Sequence, residues 1–196
     1  MLFPHQGEWI ELEQGRLFWQ RDFLPLKQSD EIFDYCLNHL DWRQEAIMMF
    51  GKSVMQPRLQ AWYGDKSYRY SGLTMNPLPW TAPLLALKQQ CEIQANNRFN
   101  SVLANLYRNG EDSMGYHQDN EPELGRNPVI ASVSLGAERR FTLKHIATKQ
   151  TFSLDLTHGS LLIMAGELQH HWKHALPKTR RCQQPRVNLT FRNIID

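Results

Sequence analysis

Short segments rich in β-formers crowd the second half of the chain, at residues 102–107, 129–135, 140–144, 152–156, 160–165 and 187–191. Gly, Pro, Asn or charged breaks separate them. Many short strands with little helix between them favour an antiparallel sandwich or barrel over a doubly wound parallel sheet. The first half reads differently. Ser29 is placed to cap a helix with Asp30 and Glu31 in its first turn, where the helix dipole favours acids, and Ile32, Phe33, Cys36, Leu37 and Leu40 give that helix one apolar face. A second helix is expected from near Thr81, with Pro83 in its first turn and Leu84, Leu87 and Cys91 repeating along it. Residues 48–70, between the two, are aromatic and basic without a helical period.

A chain of 196 residues predicts one domain able to bury a core. With 41% hydrophobic and 21% charged residues it is globular rather than disordered. Its apolar runs are too short to cross a bilayer, and its start lacks the basic and then apolar pattern of a secretory signal, so no membrane partner is expected. Three cysteines without CxxC spacing exclude a zinc ribbon and fit free thiols in a reducing compartment, the cytoplasm, or the nucleus in a eukaryote. A net charge of +2 permits an anionic partner without demanding one.

Four groups of residues carry possible chemistry. In Arg186 to Arg192, strand alternation points Val187, Leu189 and Phe191 one way and Arg186, Asn188, Thr190 and Arg192 the other. The commoner meaning of such alternation is an edge strand facing water. The other is a polar cavity wall whose two guanidinium forks, with Cα atoms roughly 20 Å apart, lean in on a small dicarboxylate. In His117-Gln118-Asp119, residues two apart share a face, so an imidazole and a carboxylate converge as in a 2-His-1-carboxylate iron site. HxD alone is a weak signal, and His39-Leu40-Asp41 is set aside as a helix-end histidine and a turn acid. A third ligand would come from His145, His158, His170, His171 or His174, of which His145 and His158 read as ordinary surface or loop residues. Lastly, Asn105 and Tyr107 share one face of a strand, where a half-exposed strand is the plainer reading.

Taken in order, NLYRNGEDSMGYHQDNE, IASVSLGAERRFTLKH, LTHGSLLIMAG, HHWKHALP and PRVNLTFRNI resemble the AlkB family of Fe(II)- and 2-oxoglutarate-dependent dioxygenases. The resemblance covers roughly residues 50–194. FGKSVMQPRLQAWYGD and YRYSGL make it most similar to the branch that repairs duplex DNA. It implies an α+β fold, a double-stranded β-helix (jelly-roll) core with flanking helices and an N-terminal nucleotide-recognition lid. Residues 1–45 would be an N-terminal extension with one helix packing on the core, 46–80 the lid, and 81–196 the dioxygenase core with a supporting helix. His117, Asp119 and His174 match the iron ligands, and Asn105, Tyr107, Arg186, Asn188, Thr190 and Arg192 match the 2-oxoglutarate pocket. Tyr70 matches an aromatic that stacks on the damaged base, with Tyr68 in the same lid, and Phe50-Gly51-Lys52 matches a hairpin whose aromatic fills the gap left by that base. Asn120 stands where the duplex-repair relatives often carry an acid, a departure from the pattern in the substrate pocket.

The implied activity is oxidative demethylation of 1-methyladenine and 3-methylcytosine in single- or double-stranded DNA. Fe(II), 2-oxoglutarate and O2 would be consumed or used, and formaldehyde, succinate and CO2 released, by a monomer. The alternative within the same chemistry is action on RNA or protein. Arg58, Lys52, Lys66 and Arg69 interleave with Trp62, Tyr63, Tyr68 and Tyr70 as expected of phosphate and base contacts, and Lys178, Arg180 and Arg181 form a second basic cluster. A zinc hydrolase would need a general-base Glu that the histidine cluster lacks. A non-catalytic β-sandwich binding nucleic acid through residues 48–70 is the remaining rival.

Overall fold

The computed structural model describes residues 6–49, 51–70 and 73–195, with the backbone alone at 48, 49, 68–70 and 73–75. Strands β1 (Glu8–Leu12) and β2 (Gly15–Gln20) form a hairpin, followed by helix α1 (Leu26–His39). Then come β3 (Ala46–Met49), β4 (Lys52–Met55), β5 (Leu59–Gly64), β6 (Tyr68–Tyr70) and β7 (Leu73–Met75). Helix α2 (Ala82–Ala95) leads into β8 (Ser101–Tyr107), β9 (Met114–His117), β10 (Ile130–Gly136), β11 (Arg139–His145), β12 (Thr151–Leu156) and β13 (Ser160–Ala165). One helical turn, α3 (Leu168–His171), precedes β14 (Trp172–Leu176) and β15 (Arg186–Arg192).

Two antiparallel sheets dominate. The larger runs β1-β2-β13-β10-β15-β8-β5 and the smaller β12-β11-β14-β9, while β3–β4 and β6–β7 pair as separate hairpins. The outer face of the larger sheet is covered by helices. Ile32, Cys36 and Leu40 of the α1 region and Leu84, Leu87 and Cys91 of α2 form one core with Val102, Val133, Val187, Leu189 and Phe191. Each of the three fully buried β15 side chains in that core contributes roughly 1.5–3 kcal/mol by leaving water. A second core lies between the sheets, where Leu162 and Met164 meet Phe141, Leu143, Leu156 and Trp172. This is the jelly-roll arrangement of two sheets closed face to face.

In the arrangement of elements, the sequence and the structure differ in three places. Helix α1 starts at Leu26, because Pro25, with φ −56°, already holds helix-entry geometry. Ser29 therefore lies inside the helix, its hydroxyl donating back to the Pro25 carbonyl at 3.1 Å, and the first turn holds no acid. Residues 8–20 contribute two strands besides the helix, with β2 paired to β13 from Arg16↔Ala165 to Gln20↔Leu161. Within the stretch expected to form the lid, β5 belongs to the large sheet, and its Trp62 and Tyr63 are buried rather than free to stack on bases.

Candidate metal centre and its cavity

β15 sits between β10 and β8 in the large sheet, and its polar face is buried rather than turned to water. Arg186, Asn188, Thr190 and Arg192 instead line a cavity between the two sheets. β8 matches them in register, with Tyr107 opposite Arg186 and Asn105 opposite Asn188, and is buried along its whole length rather than half-exposed. On the other side β10 sets Ser132 opposite Thr190 and Ser134 opposite Asn188. Hydrogen bonds knit this wall together. Asn188 Nδ2 donates to Ser132 Oγ at 2.8 Å, Thr190 Oγ1 donates to Asn188 Oδ1 at 2.9 Å, and Arg186 Nη2 donates to Ser134 Oγ at 2.9 Å. The Tyr107 ring lies between two guanidinium groups, 5.3 Å from that of Arg186 and 5.9 Å from that of Arg139.

The facing wall comes from the small sheet. β9 and β14 are neighbours with His117 directly opposite His174, and the two rings are 4.2 Å apart between centroids. Asp119 follows β9 by two residues. One ligand atom from each of His117, Asp119 and His174 falls within 4.8 Å of the others, the one such cluster among the described residues. Nδ1 of His117 is 2.9 Å from the Gly115 carbonyl, to which it donates, leaving the Nε2 lone pair to face Asp119 Oδ1 at 3.6 Å.

Electrostatics put each group in its metal-ligating form. Burial holds the His117 imidazole below its usual range and, with the repulsion of His117, takes His174 down to about 3, so both are neutral. Burial alone would raise Asp119, but the charge of the Arg192 guanidinium and its hydrogen bond outweigh it and keep the carboxyl below the ordinary carboxylate range.

Of the five histidines considered as the third ligand, His174 joins the cluster. His145 is buried, contrary to its reading as a surface or loop residue. It accepts from the Thr148 amide at Nδ1 (3.1 Å), and its Nε2 meets Gln14 Oε1 at 3.1 Å. His158 accepts from the Gly136 amide at 2.8 Å and faces Asp30 at 3.1 Å, tying α1 to the sheet. His170 faces the Arg126 carbonyl and Asn127, and His171 lies 3.7 Å from Glu167.

Arg58 also departs from the expectation of a basic surface contact. It is buried, donating from Nε to Asn105 Oδ1 at 2.9 Å and from Nη2 to Gln56 Oε1, so it braces the cavity wall. Gly51 and Lys52 stand exposed at the start of β4, with Gly51 at a positive φ (76°) that favours glycine. Asn120 is exposed beside Asp119. Phe50 lies outside the described residues, as do the side chains of Tyr68 and Tyr70, whose backbone forms β6. Ser132, Ser134 and the apolar lining residues Met114, Phe141, Leu156 and Met164 were not foreseen. The alternation in Ala131-Ser132-Val133-Ser134-Leu135 was the one available signal for the serines.

Residues 16–192 match the 2OG-Fe(II) oxygenase superfamily. The chain is 40% identical over 192 residues to the mouse DNA oxidative demethylase ALKBH2, covering 92% of this chain and 77% of that one. It belongs to the AlkB family of that superfamily. A second AlkB relative, the bovine alpha-ketoglutarate-dependent dioxygenase alkB homolog 3, is 42% identical over 88% of this chain, and the chain spans 64% of that relative's length. The solved structure of OsALKBH1 superposes with a TM-score of 0.70 at 15% identity, covering 95% of this chain and all of the other, which supports the fold.

The groups named by the superfamily fit the residues present. Two neutral imidazoles and an ionised carboxylate make the facial donor set that ferrous iron takes. Arg186 is 2% exposed, brought down to about 10 by burial yet still charged at neutral pH, and among the described residues no carboxylate lies within 4 Å of it. Its Nε has no partner there either. A buried guanidinium left uncompensated on a cavity wall suits a carboxylate ligand such as one end of 2-oxoglutarate.

Proposed function

We propose that this chain is an oxidative demethylase of N-alkylated bases in DNA, with His117, Asp119 and His174 holding Fe(II) and the β8–β15 wall holding 2-oxoglutarate. When bound, iron, 2-oxoglutarate and O2 supply the oxidation that hydroxylates an N-methyl group; the methyl then leaves as formaldehyde, with succinate and CO2 as co-products. The observation that carries this reading is one cavity with a neutral-imidazole and carboxylate cluster on one wall and, on the other, a buried guanidinium with no carboxylate beside it among the described residues.

This chain's residues orient and enclose. Arg192 donates from Nη2 to Asp119 Oδ2 at 2.8 Å, fixing one carboxylate oxygen and leaving the other toward His117. Arg186, with Tyr107 beside it, would hold a carboxylate of the cosubstrate. The hydrogen-bonded set of Ser132, Asn188 and Thr190 presents a fixed polar floor between them. Phe141, Leu156 and Met164 line the rest and keep water out.

The substrate assignment draws on the relatives named as DNA oxidative demethylases. A base methylated on its pairing edge has already lost part of its pairing, so extruding it costs less than the few kcal/mol of a normal base. The β3–β4 hairpin with Phe50, Gly51 and Lys52, and the β6 residues Tyr68 and Tyr70, form the lid in this reading, with Asn120 at the pocket rim. The test is formaldehyde release from oligonucleotides carrying 1-methyladenine or 3-methylcytosine, as single strands, as duplexes and as RNA. Release from methylated DNA that disappears in His117→Ala and Asp119→Ala is expected. Release from RNA alone would move the substrate to RNA, and undiminished succinate production by those variants would overturn the iron site.

A further inference from the structure

Gln118, the residue between His117 and Asp119, and Gln169, on α3 ahead of His174, grip each other's segments. Gln118 Nε2 donates to the Gln169 carbonyl at 2.7 Å and to the His170 carbonyl at 3.3 Å. In return, the Asp119 amide donates to Gln169 Oε1 at 2.9 Å. The Gln169 amide group is 1% exposed, and its Nε2 reaches Met164 Sδ at 3.5 Å. Its oxygen is thereby committed to Asp119.

We propose that this reciprocal glutamine clamp sets the position of the Asp119 carboxylate relative to His174, and so tunes how tightly the site holds its metal. The inference rests on the metal-centre reading above. Asp119 lies beyond the end of β9, so no strand pairing holds its backbone. His174, by contrast, is fixed inside β14 between two neighbouring strands. Of the three ligands, the carboxylate is therefore the one whose place depends on side chains. Arg192 restrains its far oxygen, and Gln169 restrains the backbone from which it springs. The clamp also joins the two segments that carry the ligands, so loosening it separates Asp119 from His174 without touching a ligand. Gln169 and Gln118 act through Asp119 and are positioning residues. Partners of this kind typically alter metal affinity by about 10–100-fold.

The experiment is Co(II) titration of the metal-free full chain, following the visible spectrum of the bound ion. Gln169→Met keeps the volume and removes the acceptor. It is expected to weaken Co(II) binding about 10–100-fold and to change the spectrum, and Gln118→Ala is expected to act in the same direction. The double variant should weaken binding by less than the product of the two single effects, since both act on one clamp. A core variant away from the cavity such as Leu87→Ala, chosen to lower the melting temperature as much, should leave Co(II) affinity within threefold. Co(II) affinity within threefold of wild type for Gln169→Met, or an equal loss in the core variant, would overturn the proposal. If Gln169→Met does not fold, Gln118→Ala decides by the same threshold. If His174→Ala binds Co(II) as tightly as wild type, the metal-centre reading falls and the clamp with it.

Discussion

Nη2 of Arg192 lies 2.8 Å from Oδ2 of Asp119, and both side chains are more than nine-tenths buried. A carboxylate stripped of water needs a cation nearby, and Arg192 is that cation whenever the metal is absent. Replacing Arg192 with Leu should therefore cost about 3–5 kcal/mol, because the charge left behind is buried and uncompensated. Thermal unfolding of the metal-free protein measures this. Adding Mn(II) should recover part of the loss, since a metal bound only by the folded state stabilises it in proportion to its saturation. No recovery would mean that Asp119 does not meet the metal.

Arg186 presents the opposite case. No carboxylate lies beside it among the described residues, so Arg186→Met should leave the melting temperature of the ligand-free chain unchanged or raise it. 2-Oxoglutarate should raise the melting temperature of the wild type and fail to raise that of Arg186→Met. Equal shifts in both would remove Arg186 from the cosubstrate site.

Arg58 is buried against Asn105, so it neutralises no phosphate from where it stands. Arg58→Gln should weaken 2-oxoglutarate binding about tenfold through Asn105 while leaving the salt slope of DNA binding unchanged. A slope reduced by about one unit would instead mean that Arg58 reaches the substrate backbone.

The loop between β8 and β9 carries an acid-sensitive anchor. Asp112 accepts from the Arg108 amide at 2.9 Å, from its Nε at 2.7 Å and from its Nη2 at 2.8 Å. Burial would raise this carboxyl, but the Arg108 hydrogen bonds and charge prevail and hold it below its ordinary range. A carboxyl depressed in the folded state stabilises fully above its unfolded value, about 3.9 for an aspartate. That stabilisation drains away as pH falls through the lower, folded value. Asp112→Asn should therefore be less stable than wild type by about 1–3 kcal/mol at pH 7, and the gap in urea midpoint should close only as the pH falls well below the ordinary aspartate value. A constant gap at all pH values would refute the linkage.

The C-terminal strand was legible in advance because its two faces carry different chemistries in strict alternation. Val187, Leu189 and Phe191 were readable as core, and Arg186 and Arg192 as a cavity wall once the strand's central place was known. Sequence alone left that place open, since register and neighbours depend on residues far away. Asn105 and Tyr107 were ambiguous for the same reason: a strand buried on both faces looks half-exposed when its polar residues serve a cavity. Ser29 misled because its capping preference is local, whereas Pro25 had already fixed the entry to the helix. Gln169 was invisible because a glutamine carries no signal until the partner amide, fifty residues away, is placed beside it.

β15 binds two fates into one stretch of seven residues. The side chains that hold the helices in place alternate with those that line the cavity, so a slip of one position would turn both inside out. The polar wall and the packing of the helices therefore arise together or not at all. A copy of this chain caught in the wrong register would have neither.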